Sequence, residues 1–165
     1  MNSKNILIIA PAILIFAGVI VAISLGLGKS ELDSVREATE GFQSVTAAEA
    51  AGYVNVNVDE CVASPDGAMG YHFVNFDLVD LELVPEEPEI MVFVPDGVGG
   101  RRLGALEYAV PIEPWDALHD SPPEVLGQTL SANPVLGLYG LHVWLYEENP
   151  SGVFADWNPA VSCEV

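Results

Sequence analysis

Three histidines, two cysteines and 24 acidic side chains supply most of the chemistry open to this chain. His72 and His142 each lie in a stretch that reads as a β-strand, and Glu107 lies in a third, Leu103 to Val110. Successive strand side chains point to opposite faces. His142 therefore shares a face with Trp144 and Tyr146, opposite Leu141, Val143 and Leu145. Glu107 shares one with Ala105 and Ala109, opposite Leu106, Tyr108 and Val110, and His72 shares one with Val74, opposite Tyr71 and Phe73. If the more apolar faces form the core, three strands present His72, Glu107 and His142 on one non-core face. Two imidazoles and a carboxylate are a workable ligand set for zinc, copper or non-haem iron. The small Ala105 and Ala109 leave room beside Glu107 for a ligand or water. No short fixed spacing such as HExxH supports the set. The competing reading is three independent polar residues, with each histidine hydrogen-bonded at a half-buried position and Glu107 solvated or paired with an arginine.

The other candidates are weaker. His119 lies between Asp116 and Asp120, whose carboxylates would favour its charged form, but a solvated loop accounts for it. Glu113, Asp116, Asp120 and Glu124 could collect calcium, yet they fit no EF-hand spacing. No GxSxG, phosphate loop or dinucleotide motif is present, and no CxxC points to a redox-active pair. Cys61 and Cys163, with no third cysteine, suggest one disulfide in an exported domain; the alternative is two unrelated buried thiols. Closing so long a loop could stabilise the fold by up to about 4–5 kcal/mol in the chain-entropy model.

The elements that must position these residues begin after an apolar start. Ile6 to Gly28 holds 23 residues with no charge, and Ser24 is the one strongly polar side chain among them. As a helix it would be about 35 Å long, enough to span a hydrocarbon core of about 30 Å. Pro11 falls in the first turns, where a missing N–H matters least. The expectation is an uncleaved signal-anchor over residues 1–29, followed by one extracytoplasmic domain over residues 30–165. A cleaved signal peptide is the alternative, but Ala22-Ile23-Ser24 is a weak cleavage site and the apolar run is long for one. Lys4 before the segment and Lys29 after it leave the positive-inside rule almost neutral, so the cysteines carry the outward placement.

All 24 acids follow Lys29, and only Arg36, Arg101 and Arg102 oppose them, which leaves the domain at a formal charge of −21. Such a surface repels nucleic-acid phosphates and anionic lipid head groups. It suits solubility in a salty setting or a basic partner at the cell surface. Ser34-Val35-Arg36-Glu37 reads as a capping box that opens a helix running to Gly52, with Val35, Ala38, Phe42 and Val45 on one stripe. Strands follow at Val54–Val58, Tyr71–Asn75, Ile90–Val94, Leu103–Val110 and Gly140–Tyr146. Pro95 to Gly100 turns the third into the fourth, and Ser64 to Gly67 is a similar turn. The stretch from Pro111 to Pro134 carries five of the twelve prolines and reads as a long ordered loop, with a helical turn near Trp115–His119. The segment Glu147 to Val165 should wrap the surface until Cys163 pins it. The fold class is α+β, a helix packed on a mostly antiparallel sheet with long loops.

Several of these stretches resemble a set of exported bacterial and archaeal proteins of unknown function. They are Gly70-Tyr71-His72-Phe73-Val74-Asn75, Leu106-Glu107-Tyr108 with Val110-Pro111, Leu141-His142-Val143-Trp144, Asn149-Pro150 with Gly152, Phe154-Ala155-Asp156-Trp157-Asn158-Pro159 and Ser162-Cys163. The helix end Ala50-Ala51-Gly52-Tyr53 is similar too. The resemblance covers most of the domain but not the anchor. It implies export and a Cys61–Cys163 pair, and it carries no activity. Three functions stay open on these residues. The first is a membrane-tethered domain that binds a metal ion, zinc or copper, or a small polar ligand. The second is a structural or accessory cell-surface protein without a chemical site. The third is a metal-dependent enzyme with the 111–134 loop as its lid.

Overall fold

A computed structural model describes residues 29–56 and 60–164. The expected anchor lies outside them, and among the described residues no helix is long and apolar enough to cross a membrane. The chain begins with helix α1 (Glu31–Thr39), passes through a 3₁₀ turn (Glu40–Phe42) and continues in α2 (Val45–Ala50). The capping box that opens α1 is Ser30 with Asp33, one turn before the expected Ser34–Glu37. The single expected helix is broken in two. Gly41 weakens its middle, and Ser44 offers its hydroxyl to the Ala47 N–H at 3.2 Å, which starts a new helix rather than continuing the old one. Gly52 ends the second helix with φ of 96°, a backbone conformation glycine adopts without penalty.

Strands β1 (Val54–Asn55), β2 (Val62–Ser64), β3 (Gly67–Val74), β4 (Ile90–Pro95) and β5 (Arg101–Pro111) follow. After β5 come the short helix α3 (Ile112–Asp116), the hairpin β6 (Glu124–Val125) and β7 (Gln128–Thr129), then β8 (Ser131–Asn133) and β9 (Leu138–Val143). The main sheet has the order β1-β3-β4-β5-β9-β8, with β2 also on β3. Every strand pairing is antiparallel. The class is therefore α+β, as expected. The expected strand over Val54–Val58 is a two-residue strand, and its last residues fall outside those described.

The two faces of the sheet bury different residues. One carries Phe73, Met91, Phe93, Leu106, Tyr108, Leu141 and Val143, and packs on Val35, Ala48, Phe42 and Val45 of the helical segment. Tyr146 ties this side together: its hydroxyl donates to the Arg36 carbonyl at 3.0 Å and lies 2.8 Å from Thr39 Oγ1. Ile112, Trp115, Val125, Leu126 and Leu130 pack against the same cluster. The 111–134 segment thus lies on the helix side of the sheet, which corrects the expectation that it closes the opposite face. These five apolar residues complete the main core and are not free to act as a lid.

The opposite face carries Val74, Ile90, Val92, Ala105, Ala109 and Trp144, with Val161 and Cys163 from the C-terminus and Val79 from the β3–β4 connection packed against it. The C-terminal strap is held over this face by hydrogen bonds. Trp144 N–H donates to the Val153 carbonyl at 2.8 Å, Trp144 Nε1 donates to the Ala155 carbonyl at 2.7 Å, and Asn158 pairs with Ala68 at the start of β3. Cys163 is disulfide-bonded to Cys61 with Cα atoms 5.7 Å apart across 102 positions of sequence. Asn158, not Trp157, is the fully buried residue of the Asp156–Pro159 turn. The Asn158 side chain donates to the Glu148 carbonyl at 3.0 Å and accepts from the Ala160 N–H at 2.9 Å.

Candidate metal centre

His72, Glu107 and His142 meet on the face covered by the strap. Glu107 on β5 and His142 on β9 are direct cross-strand partners. His72 sits on β3, on the far side of β4. At about 4.8 Å per strand, β3 and β9 would stand roughly 14 Å apart in a flat sheet, a gap the two rings could not close. The sheet is concave here. Between Val92 and Phe93 of β4 the pairing skips Gly104 of β5, a bulge that adds to the local twist. His72 Nε2 and His142 Nε2 are 3.3 Å apart. Glu107 Oε2 is 3.5 Å from the first and 3.7 Å from the second.

These separations are long for hydrogen bonds, which favour 2.7–3.2 Å for N–H···O. They suit a shared ion. The three edges define a triangle whose centre lies about 2.0 Å from every corner, and zinc binds nitrogen and oxygen donors at about 2.0–2.2 Å. Bonds of that length subtend edges of about 3.3–3.6 Å in a tetrahedron and only about 2.8–3.1 Å between neighbouring octahedral ligands. His72, Glu107 and His142 form a group able to hold a metal ion, and no other group of three or more histidine, cysteine or acidic side chains gathers in this way among the described residues. The calcium reading of the 111–134 acids fails: Asp116 accepts from the Tyr139 hydroxyl at 2.8 Å and Glu124 from Thr129 Oγ1 at 3.1 Å. His119 stacks on Trp115 with ring centroids 3.9 Å apart, away from the cluster.

Burial dominates the electrostatics. Desolvation pushes His72 and His142 down to about 4, so both rings are neutral at neutral pH, the form that binds a metal. Glu107 pulls His72 the other way, as Asp156 does His142. Desolvation pushes the Glu107 carboxyl up, opposed by His72 and reinforced by Asp156. A cation among the three would favour the ionised carboxylate. The Gly70 carbonyl also favours the charged form of His72, yet His72 Nδ1 is buried with no partner in hydrogen-bond geometry among the described residues. Ligating histidines usually donate from the second nitrogen, and the Gly70 carbonyl acts on His72 in that sense.

Four further residues shape the site; strand alternation placed Trp144 on the face of His142 and did not single out the other three. Gly140 makes space for the carboxylate, since a Cβ there would come within 3.0 Å of Glu107 Oε1. Gly70, with φ of 116°, lets β3 approach β4 where a Cβ would lie 2.4 Å from the Phe93 carbonyl oxygen. Trp144 stacks beside His142, with centroids 6.4 Å apart and planes 22° from parallel. Asp156 reaches the site by its charge. The glycines carry a readable signal, because a glycine inside a strand pattern marks a bulge or a close approach. Asp156 carries none, because its place depends on how the strap folds back.

The fold and the cluster together define an α+β domain with a two-histidine, one-carboxylate group on the sheet face away from the helices. Compared with protein-family models, curated proteins and solved structures, the chain matches none.

Proposed function

We propose that this protein is a membrane-anchored extracytoplasmic domain that binds a divalent metal ion, zinc before copper, through His72, Glu107 and His142. The observation that carries the reading is the triangle of donor atoms, with edges of 3.3, 3.5 and 3.7 Å. These edges fit a tetrahedral ion better than mutual hydrogen bonds. Zinc is favoured because the donor set is nitrogen and oxygen only. Both cysteines are bonded to each other, and Met91 is buried in the cluster on the opposite face, so none of these three supplies the soft sulfur donor that copper(I) selects. Outward placement draws support from the apolar Ile6–Gly28 segment, from the resemblance to exported proteins and from the disulfide, which persists in oxidising compartments. A structural or accessory role without a metal is the alternative. A lid-closed metal enzyme loses its main support, since the 111–134 segment packs on the other face.

Elemental analysis of the full-length protein, purified from its host in detergent, tests the proposal. About one zinc per chain is expected. His142→Ala should weaken binding by at least about a hundredfold, the scale of losing one of three ligands, and His119→Ala should leave it unchanged. Protein that retains no metal, or equal effects of the two substitutions, would return the cluster to a structural role.

A further inference from the structure

Each of the three ligands has a neighbour in the apolar cluster that the C-terminal strap completes. Val92 pairs with His72 across β3 and β4. Ala105 stands two residues before Glu107 and Trp144 two after His142, each on the face of its ligand. Val92, Ala105 and Trp144 share one buried cluster with Val161, and Cys163 packs against it. The strap is fixed as far as Asn158, which pairs with Ala68 through backbone hydrogen bonds of 3.0 and 3.1 Å. Beyond that point the hydrogen bonds are local. The Ala160 N–H donates to Asn158 Oδ1 at 2.9 Å, the Val161 N–H to the Asn158 carbonyl at 3.1 Å and the Glu164 N–H to the Ser162 hydroxyl at 3.1 Å. Among the described residues, two things fix 159–164 to the sheet. One is the packing of Val161. The other is Cys163, bonded to Cys61 and with its Sγ 3.7 Å from the Val62 carbonyl of β2. Both cysteines are half-buried, so the bond is within reach of a reductant while the domain stays folded.

Resting on the metal reading above, we propose that the Cys61–Cys163 bond is a redox latch on the metal centre, opened by a protein dithiol that works by thiol–disulfide exchange. One thiolate of the dithiol attacks a sulfur of the bond, and the other cysteine leaves as a thiolate. The second thiolate of the dithiol then attacks its own sulfur in the mixed disulfide and displaces the remaining cysteine. The dithiol ends as a disulfide, oxidised by two electrons, and Cys61 and Cys163 end as thiols that carry its two protons. Residues 159–164 are then held by Val161 alone and lift from the cluster, a local opening that leaves the helix-side core in place. With the latch closed the ion exchanges slowly, and with the latch open it passes to an acceptor.

Full-length protein in detergent is loaded with zinc, and release to an excess of a chromogenic chelator is timed. Reduction uses an immobilised phosphine that is removed before the assay. Release should be at least about tenfold faster after reduction, because the opening of the strap no longer works against a cross-link. Reoxidation with diamide should restore the slow rate. The double variant Cys61→Ser, Cys163→Ser has no thiol to hold zinc and should release at the fast rate throughout. Near-ultraviolet circular dichroism should show the core intact in every fast-releasing sample. Equal rates in oxidised and reduced wild type would overturn the latch, and so would slow release from the double variant. Fast release that comes with loss of the near-ultraviolet signal would also overturn it, since the ion would then leave by unfolding of the domain. Failure of oxidised wild type to take up zinc would overturn the metal reading itself, a result that is read before any reductant is added.

Discussion

Glu89 is 1 % exposed and carries a carboxyl into the protein at the edge where β4 begins. One oxygen accepts the Ala109 N–H at 3.0 Å. Desolvation pushes this carboxyl up to about 8, partly offset by the Ala109 hydrogen bond. A carboxyl raised in the folded state binds its proton more tightly there than in the unfolded chain. Its contribution to stability is therefore fully present below about 4.5 and is lost as pH rises through about 8. The difference is on the order of 5 kcal/mol. Glu89→Gln should flatten the stability profile over that window and raise the denaturation midpoint at pH 8, measured by denaturant titration. Glu86→Gln removes the same charge from the same loop at an exposed position and should leave the slope in place. A wild-type slope unchanged in Glu89→Gln would mean the carboxyl is ionised throughout. At the cluster, metal affinity should weaken as pH falls, because protons compete for the imidazoles and the carboxylate. Both imidazoles are held down to about 4, so affinity that stays constant well below that pH would exclude histidine ligands.

Two glycines decide how closely the strands can approach. A Cβ at Gly140 would meet Glu107 Oε1 at 3.0 Å, and the carboxylate can move aside at small cost. Gly140→Ala should therefore fold, yet hold its metal about tenfold less tightly, because a ligand displaced by a few tenths of an ångström loses geometry. Isothermal titration of zinc checks this, and unchanged affinity would show that Glu107 does not need that space. Gly70→Ala meets backbone instead, with the Phe93 carbonyl oxygen at 2.4 Å and φ of 116°. It should cost about 2–4 kcal/mol of stability, read by thermal melting. In the helical segment, Ser44 is the cap that restarts the chain after the break, so Ser44→Ala should cost about 1 kcal/mol. Sequence periodicity placed this segment against the sheet correctly. It did not place the break, because Ser34 and Ser44 are both competent caps and only packing chooses which of the local alternatives is used.

Across the whole molecule, stability is divided between a thick core on the helix side and a strap on the other. The strap buries few apolar groups, so its hold depends on the Trp144 and Asn158 hydrogen bonds and on the Cys61–Cys163 bond that closes a loop of 102 positions. Reduction, or Cys163→Ser, should destabilise the domain by about 2–4 kcal/mol and should also loosen metal binding, since the strap covers the site. Equal zinc affinity in oxidised and reduced protein would separate strap and site. The formal charge of −19 on the whole chain adds self-repulsion that salt screens. Melting temperature should therefore rise between low salt and about 1 M sodium chloride. The Ile6–Gly28 segment should keep the protein in the membrane fraction through a carbonate wash, and a mature chain starting near residue 25 would show a cleaved signal instead.

Alternation along β3, β5 and β9 was enough to place His72, Glu107 and His142 on one face, because the strand period of two is a property of the backbone and needs no partner. The class of fold and the Cys61–Cys163 pair were legible for similar reasons. The strand and helix patterns are local, and two cysteines without a third leave one pairing within the chain. The distance between the three ligands was not legible. A shared face allows any spacing from contact to roughly 14 Å, and the outcome rests on sheet curvature and a bulge at Gly104, which depend on how strands distant in sequence pair. Nor could a local pattern show which segment covers which face. Prolines marked 111–134 as ordered but not where it packs, and its apolar residues went to the larger core. The cover over the site came from the C-terminus, whose path is set by contacts with Trp144, Ala68 and Cys61 that have no period to read.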